Sequence, residues 1–200
     1  MKARQLKKPG GFTLIELMVV MAIVAVLVTL AAPSFTRQIQ STQISNGVNT
    51  FMSDLRFARS QAIRLGGMVV MCRSDAPEAA NPTCGSGSGP GGNGWVSGWI
   101  IFQDLNNNGN RNAGEPILRV QAANTSINSI AEAGASSSTK IKFTATGRLL
   151  NLSSATQFQF GGNPTFANDV QRVLCVSLGG RARIAGDGLA SCGTGSQANQ

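Results

Sequence analysis

Two hundred residues suffice for one domain with an appendage; an apolar content of 42% can fill a core, and 24 glycines point to many turns rather than a helical body. Histidine and tyrosine are both absent, which removes the commonest general base and metal ligand and leaves a hydrolase or zinc-enzyme reading without support. The formal charge of +8 is partly local, because Lys2, Arg4, Lys7 and Lys8 precede any acid; beyond them thirteen basic against nine acidic side chains leave +4, a balance that permits contact with phosphates or anionic surfaces.

From Phe12 to Ala32 the chain reads FTLIELMVVMAIVAVLVTLAA, with Glu16 as its only charge. About 20 apolar residues span a bilayer core, so the length predicts a membrane helix. The preceding basic residues predict a cytoplasmic N-terminus. An ordinary secretory signal has the same outline, but no A-x-A-like site follows the run and a carboxylate stands near its beginning. A charge in a membrane segment is costly. Glu16 is therefore read as meeting a cation or amine of a neighbouring subunit, with snorkelling at the interface as the plain alternative.

The stretch Gly10-Gly11-Phe12-Thr13-Leu14-Ile15-Glu16 resembles the processing motif of type IV prepilins and type II secretion pseudopilins. The resemblance implies cleavage after Gly11 by a prepilin peptidase, N-methylation of Phe12, and pairing of Glu16 with the terminal amine of an adjacent subunit during assembly. Pro33 falls where the helix of that family commonly bends or melts in filaments. The expected organisation is a leader over 1–11, a transmembrane and assembly helix over 12–32, an amphipathic helix over 33–66 and a β-rich head over 67–200.

Beyond Pro33, the apolar residues Phe35, Ile39, Ile44, Val48, Phe51, Met52, Leu55, Ala58 and Ala62 recur mostly every three or four positions. This predicts a helix with one side to bury, ending near Gly66-Gly67. Wholly helical, Phe12 to Leu65 would extend roughly 80 Å at ~1.5 Å per residue.

In the head, Met68–Cys72 reads as a buried strand, and residues 85–94, GSGSGPGGNG, as a flexible surface loop. Further strands are expected at Trp95–Phe102, Ile117–Val120, Lys140–Ala145, Gln157–Phe160, Arg172–Leu178 and Arg181–Ile184. The class is α+β, a long N-terminal helix packed on an antiparallel sheet. Four cysteines allow three pairings. The local choices are Cys72 with Cys84 and Cys175 with Cys192, and an exported head would oxidise them. No C-x-x-C pair is present to suggest zinc, and the sequence calls for no cofactor.

Asp104, Asn106, Asn108, Gly109 and Glu115 fit the D-x-[DN]-x-[DN]-G-x5-E calcium-loop template. Strands rather than helices are expected on either side, and only two of the ligands would be charged. A plain Asn/Gly-rich hairpin loop is therefore the preferred reading, with no metal. The segment Gly98–Arg119, GWIIFQDLNNNGNRNAGEPILR, together with Thr146-Gly147-Arg148 and Arg172–Ser177, resembles the GspH/FimT family. With the N-terminal helix the likeness covers most of the chain and leaves 121–139 and the tail unmatched. It implies a pilin-like fold.

Gly179-Gly180 separates two strand-like runs and fits a two-residue hairpin turn. Arg181 and Arg183 would then share a face, opposite Leu178 and Val176. Gly180-Arg181-Ala182-Arg183 is similar to the G-R-x-R motif of FimT-type minor pilins, which implies DNA binding during natural transformation. Guanidinium forks suit phosphate oxygens, whereas an arginine pair kept for solubility is the plain alternative. Three functions are weighed: a DNA-binding minor pilin, a structural minor pilin or GspH-like pseudopilin, and a membrane-anchored enzyme. The last has no catalytic constellation behind it. The partners implied are other pilins through the N-terminal helix, the peptidase, the inner membrane and DNA. The implied location is a single pass of the inner membrane with the head in the periplasm, and a filament once assembled.

Overall fold

The helical assignment α1 (Leu14–Leu65) takes in 52 residues, from the N-terminal apolar run to the end of the amphipathic segment. The computed structural model describes residues 11–133, 139–150, 156–162 and 166–192; the expected leader, residues 1–10, lies outside the described residues. At the start of α1, the Thr13 N–H and hydroxyl donate to a Glu16 carboxylate oxygen (3.2 and 3.3 Å), while the Glu16 N–H donates to Thr13 Oγ1 (3.3 Å). This reciprocal arrangement is a capping box, and it satisfies donors that the first helical turn leaves open. At the other end, the Gly66 N–H bonds to the Ile63 carbonyl (3.4 Å) and the Gly67 N–H to the Ala62 carbonyl (3.3 Å), with Gly66 at φ 60°. That Schellman closure ends the helix where the glycine pair predicts.

Two units divide the chain, Met1–Ile39 and Gln40–Gln200. In the first, Leu14, Ile15, Leu17, Met18 and the apolar residues that follow are exposed, and Phe12 is 89% exposed. Taken separately, neither Leu14–Thr29 nor Ser34–Leu65 is long and apolar enough to cross a membrane; the pair taken together passes by length and composition. Phe35 and Ile39 are exposed too, so the buried stripe of α1 starts later than its periodicity suggests, at Ile44.

The second unit holds two antiparallel four-stranded sheets. One has the order β3-β2-β1-β5, built from β1 (Met68–Arg73), β2 (Trp99–Asp104), β3 (Ile117–Gln121) and β5 (Lys140–Phe143). The other has the order β4-β6-β7-β8, from β4 (Ile130–Ala133), β6 (Thr156–Phe160), β7 (Arg172–Val176) and β8 (Ala182–Gly186). Strand β4 is absent from the sequence expectations because IAEA has little β-propensity; its pairing with β6 makes it a strand. Trp95–Ser97, expected as the start of a strand, is a 3-10 turn, and Gly98 at φ 100° separates it from β2.

The buried face of α1, Ile44, Val48, Phe51, Leu55, Ala58 and Ala62, forms one cluster with alternate residues of both sheets: Val69, Met71, Ile101, Ile141 and Phe143, then Phe158, Phe160, Leu174 and Val176. Phe51 is its centre. Its ring lies 4.8–5.6 Å from those of Trp95, Trp99, Phe158 and Phe160, mostly edge to face. Beside it Asp54, 2% exposed, accepts from Trp99 Nε1 (2.8 Å) and pairs with Arg119 (2.5 Å), whose guanidinium lies 3.9 Å from the centre of the Phe57 ring. The carboxylate and the indole N–H thus satisfy each other inside the core.

Val70, Cys72, Ile100 and Phe102 form a smaller cluster on the other face of the first sheet, with Met68 and Cys84 against it. The disulfides Cys72–Cys84 and Cys175–Cys192 each close a local loop. The glycine-rich segment read as a flexible surface loop is built around a side chain. Arg73, 1% exposed, pairs with Asp75 and donates to the Ser86 carbonyl (2.5 Å), while the Gly85 N–H donates to the Arg73 carbonyl (2.7 Å).

Candidate functional site

Strands β7 and β8 are joined by a turn in which the Gly180 N–H donates to the Ser177 carbonyl (2.8 Å) and the Ser177 N–H to the Arg181 carbonyl (2.9 Å). The Arg181 N–H also reaches Ser177 Oγ (3.3 Å). This is a three-residue connection, Leu178-Gly179-Gly180, closed by a glycine in the left-handed region at φ 74°. It is not the two-residue Gly179-Gly180 turn expected from the sequence. Such a turn centred on two glycines calls for positive φ at both in its commonest form, and among this pair only Gly180 has it.

The register shifts accordingly. Ala182 stands opposite Val176, Arg183 opposite Cys175, and Ile184 opposite Leu174. Arg183 therefore does not face Val176, and Arg181 is bonded to Ser177 rather than placed across from Leu178. Ala182, between the two arginines, packs against the core. Alternation then puts Arg181 and Arg183 on the other side of the strand, with Arg181 exposed and Arg183 half-buried.

A second turn joins this one. The Gly147 N–H donates to the Thr144 carbonyl (2.8 Å) and the Thr144 N–H to the Arg148 carbonyl (2.9 Å). The Leu149 N–H then bonds to the Leu178 carbonyl (3.0 Å). A Cβ on Gly180 would collide with the Gly147 carbonyl oxygen, so the two turns touch backbone to backbone. Thr146-Gly147-Arg148 and Gly180-Arg181-Ala182-Arg183, far apart in the chain, thereby share one surface, with Arg148 exposed on it.

Other basic residues that the sequence offers lie elsewhere. Arg172, at the far end of β7, donates to the carbonyls of Asp169, Val170 and Gln171. Lys140 and Lys142, on β5, line with Arg73, Trp95 and Glu132 a separate cavity of about 680 Å³. Burial, and next the neighbouring Lys142, lower the pKa of Lys140, while Asp104 opposes the shift.

The helix supplies basic groups that the sequence reading missed by attending only to apolar positions. Arg56, Arg59, Ser60 and Ile63, with Gly180, Arg181 and Ala182, line an open groove of about 440 Å³. Their i, i+3, i+4, i+7 spacing was the available signal for a single helix face.

The calcium-like loop turns most of its side-chain oxygens onto its own backbone, although Asp104 Oδ1 is buried with no hydrogen-bond partner among the described residues. Asp104 accepts from the Gly109 N–H (2.6 Å), Glu115 from the Leu105 and Asn112 N–H groups (3.0 and 2.7 Å), Asn106 from the Asn108 N–H (3.0 Å), and Asn108 from the Asn110 N–H (2.6 Å). Lys140 Nζ donates to Asn110 (2.5 Å), and the Lys142 side-chain end lies against Gly109. Among the described residues no three His, Cys, Asp or Glu side chains are grouped so as to hold a metal.

Residues 47–180 match the family model of the type II transport protein GspH, and residues 6–32 that of the prokaryotic N-terminal methylation motif. Two crystal forms of the type IV minor pilin FimU from Pseudomonas aeruginosa share the fold. The first has a TM-score of 0.53 at 18% identity, covering 74% of this chain and 95% of FimU. The second has a TM-score of 0.50 at 18% identity, covering 73% and 98%. At that identity the likeness concerns the fold alone. None of the curated proteins compared with the chain matches it.

Proposed function

The chain belongs to the GspH family of type II transport proteins, and from that premise we propose that it is a minor pilin of a type IV pilus whose β7–β8 turn contacts DNA during uptake. The family is one of structural pilin-like proteins rather than enzymes, and its members are minor pilins or pseudopilins of type IV pili and type II secretion.

The observation that carries the DNA reading is the backbone meeting of two turns, one carrying Arg148 and the other Arg181, with Arg183 two residues on along β8. Guanidinium groups donate in a rigid fork that matches two phosphate oxygens. Three of them on exposed or half-buried turns and one strand form a surface for a polyanion rather than a pocket for a small molecule. Backbone phosphates carry no base information, so binding is weak and nearly independent of sequence. Maturation places the protein where it meets incoming DNA: a prepilin peptidase cleaves after Gly11 and Phe12 is methylated. The apolar run crosses the inner membrane once, and the disulfide-bonded head stands in the periplasm and joins other pilins through α1.

A salt titration of double-stranded DNA binding by the full chain in detergent tests this. Wild type binds at low salt, and the doubly substituted Arg181→Gln/Arg183→Gln protein binds more weakly. Its log–log salt slope is shallower by up to about two, since each phosphate contact contributes roughly 0.9. Absence of wild-type binding, or equal binding by the variant, overturns the reading. A structural pseudopilin is then favoured by the type II transport match itself. Strains lacking the gene separate the two, because one loses transformation and the other protein secretion.

A further inference from the structure

Arg56, Arg59, Ser60 and Ile63 occupy one face of α1, while Leu55, Ala58 and Ala62 on the adjoining face are buried in the core. Arg56 is exposed and Arg59 half-buried. Arg59 is held in place from above, because a Cβ on Gly180 would come within 3.4 Å of its Cδ and one on Gly147 within 3.0 Å of its Nε. That Nε is buried and has no hydrogen-bond partner among the described residues.

Among the described residues, no carboxylate lines the groove between this helix face and the turn. Asp54, the nearest acid along the helix, is taken by Arg119 and Trp99. Arg56, Arg59 and Arg181 thus surround an open trough of about 440 Å³ with three fixed positive charges and the Ser60 side chain. Charge-assisted donation from guanidinium forks selects an oxyanion with several acceptor atoms, and an open trough suits a chain that enters and leaves. Arg181 borders both the trough and the Arg183 strand, so one phosphate track can pass from the sheet edge onto the helix.

We propose that this groove binds a backbone phosphate of DNA, with Arg59 and Arg56 as its ligands, adjacent along the same strand to phosphates met by Arg181 and Arg183. The inference rests on the hairpin being a DNA contact. It adds that the binding surface extends onto α1.

The test uses the full chain in detergent, a short double-stranded DNA and a salt series. Arg56 is exposed, so Arg56→Gln should leave the thermal melt unchanged. It should weaken binding roughly eightfold at 0.1 M salt and flatten the slope by about 0.9, the share of one released counterion. Arg59→Lys keeps a charge but removes the fork, so it should weaken binding with little change of slope. Wild-type binding that falls with Arg181→Gln/Arg183→Gln but not with Arg56→Gln overturns this inference and leaves the hairpin reading standing. No wild-type binding overturns both. If Arg56→Glu binds DNA normally yet no longer enters filaments, the groove receives an acidic segment of a neighbouring subunit, and the phosphate assignment fails.

Discussion

Asp54 illustrates how one side chain couples the helix to a sheet. Its carboxylate accepts from Trp99 Nε1 on β2 and pairs with Arg119 on β3, all beside the Phe51 ring cluster. Asp54→Ala would leave the buried indole N–H without a partner and should cost about 1–3 kcal/mol in chemical denaturation. Asp54→Asn keeps an acceptor and should cost less; equal losses would show that the ion pair, not the indole bond, carries the effect. Glu16 has a local role of the same kind in the capping box with Thr13. The T-x-x-E spacing was present in the sequence as a helix-start signal. We expect Glu16→Ala to insert in the membrane normally yet fail to enter filaments, because the capping bonds do not replace a partner in the assembly. Normal incorporation would reduce Glu16 to its capping role.

The hairpin shows the same logic at the level of an element. Two glycines in a row signal a turn but do not say which of them takes the left-handed conformation. Gly180 does, at φ 74°, and a Cβ on it would collide with the Gly147 carbonyl. Gly180→Ala should therefore lose about 1–2 kcal/mol from the left-handed backbone alone, and more from the contact. The same variant should weaken DNA binding, since the turn carries Arg181; a stable variant with unchanged binding would detach the turn from the site. The strand order places Gln157, Cys175 and Arg183 in one row across β6, β7 and β8. The Cys192 N–H bonds to Gln157 Oε1 (3.1 Å), so the Cys175–Cys192 disulfide ties the end of the described chain to the row that holds Arg183.

For the molecule as a whole, the two units have opposite surfaces. Residues 40–200 bury their apolar side chains in one main cluster, whereas the helix before Ile39 presents valine, leucine, isoleucine and methionine to its surroundings. An exposed apolar surface of that extent calls for lipid or other helices. Maturation should accordingly precede assembly, and mass spectrometry of the native protein should find N-methyl-Phe12 as the first residue. A terminus at Met1, or beyond Ala32, would contradict processing after Gly11.

The sequence by itself determined what depends on intervals along the chain. The apolar run, the helical spacing that is buried from Ile44 to Ala62, the Gly66-Gly67 stop and the apolar strand segments such as Met68–Cys72 are each legible as local patterns. Proximity of segments was decided only by the tertiary structure. Pairing with β6 made Ile130–Ala133 a strand, Arg73 gave the glycine-rich loop its core, and a three-residue turn moved Arg183 from Val176 to Cys175. The meeting of Arg56 and Arg59 with Arg181 around one groove depends on packing between helix and sheet, which brings together residues more than a hundred positions apart. Periodicity encodes which face of an element is buried; it holds no term for which other element that face will meet.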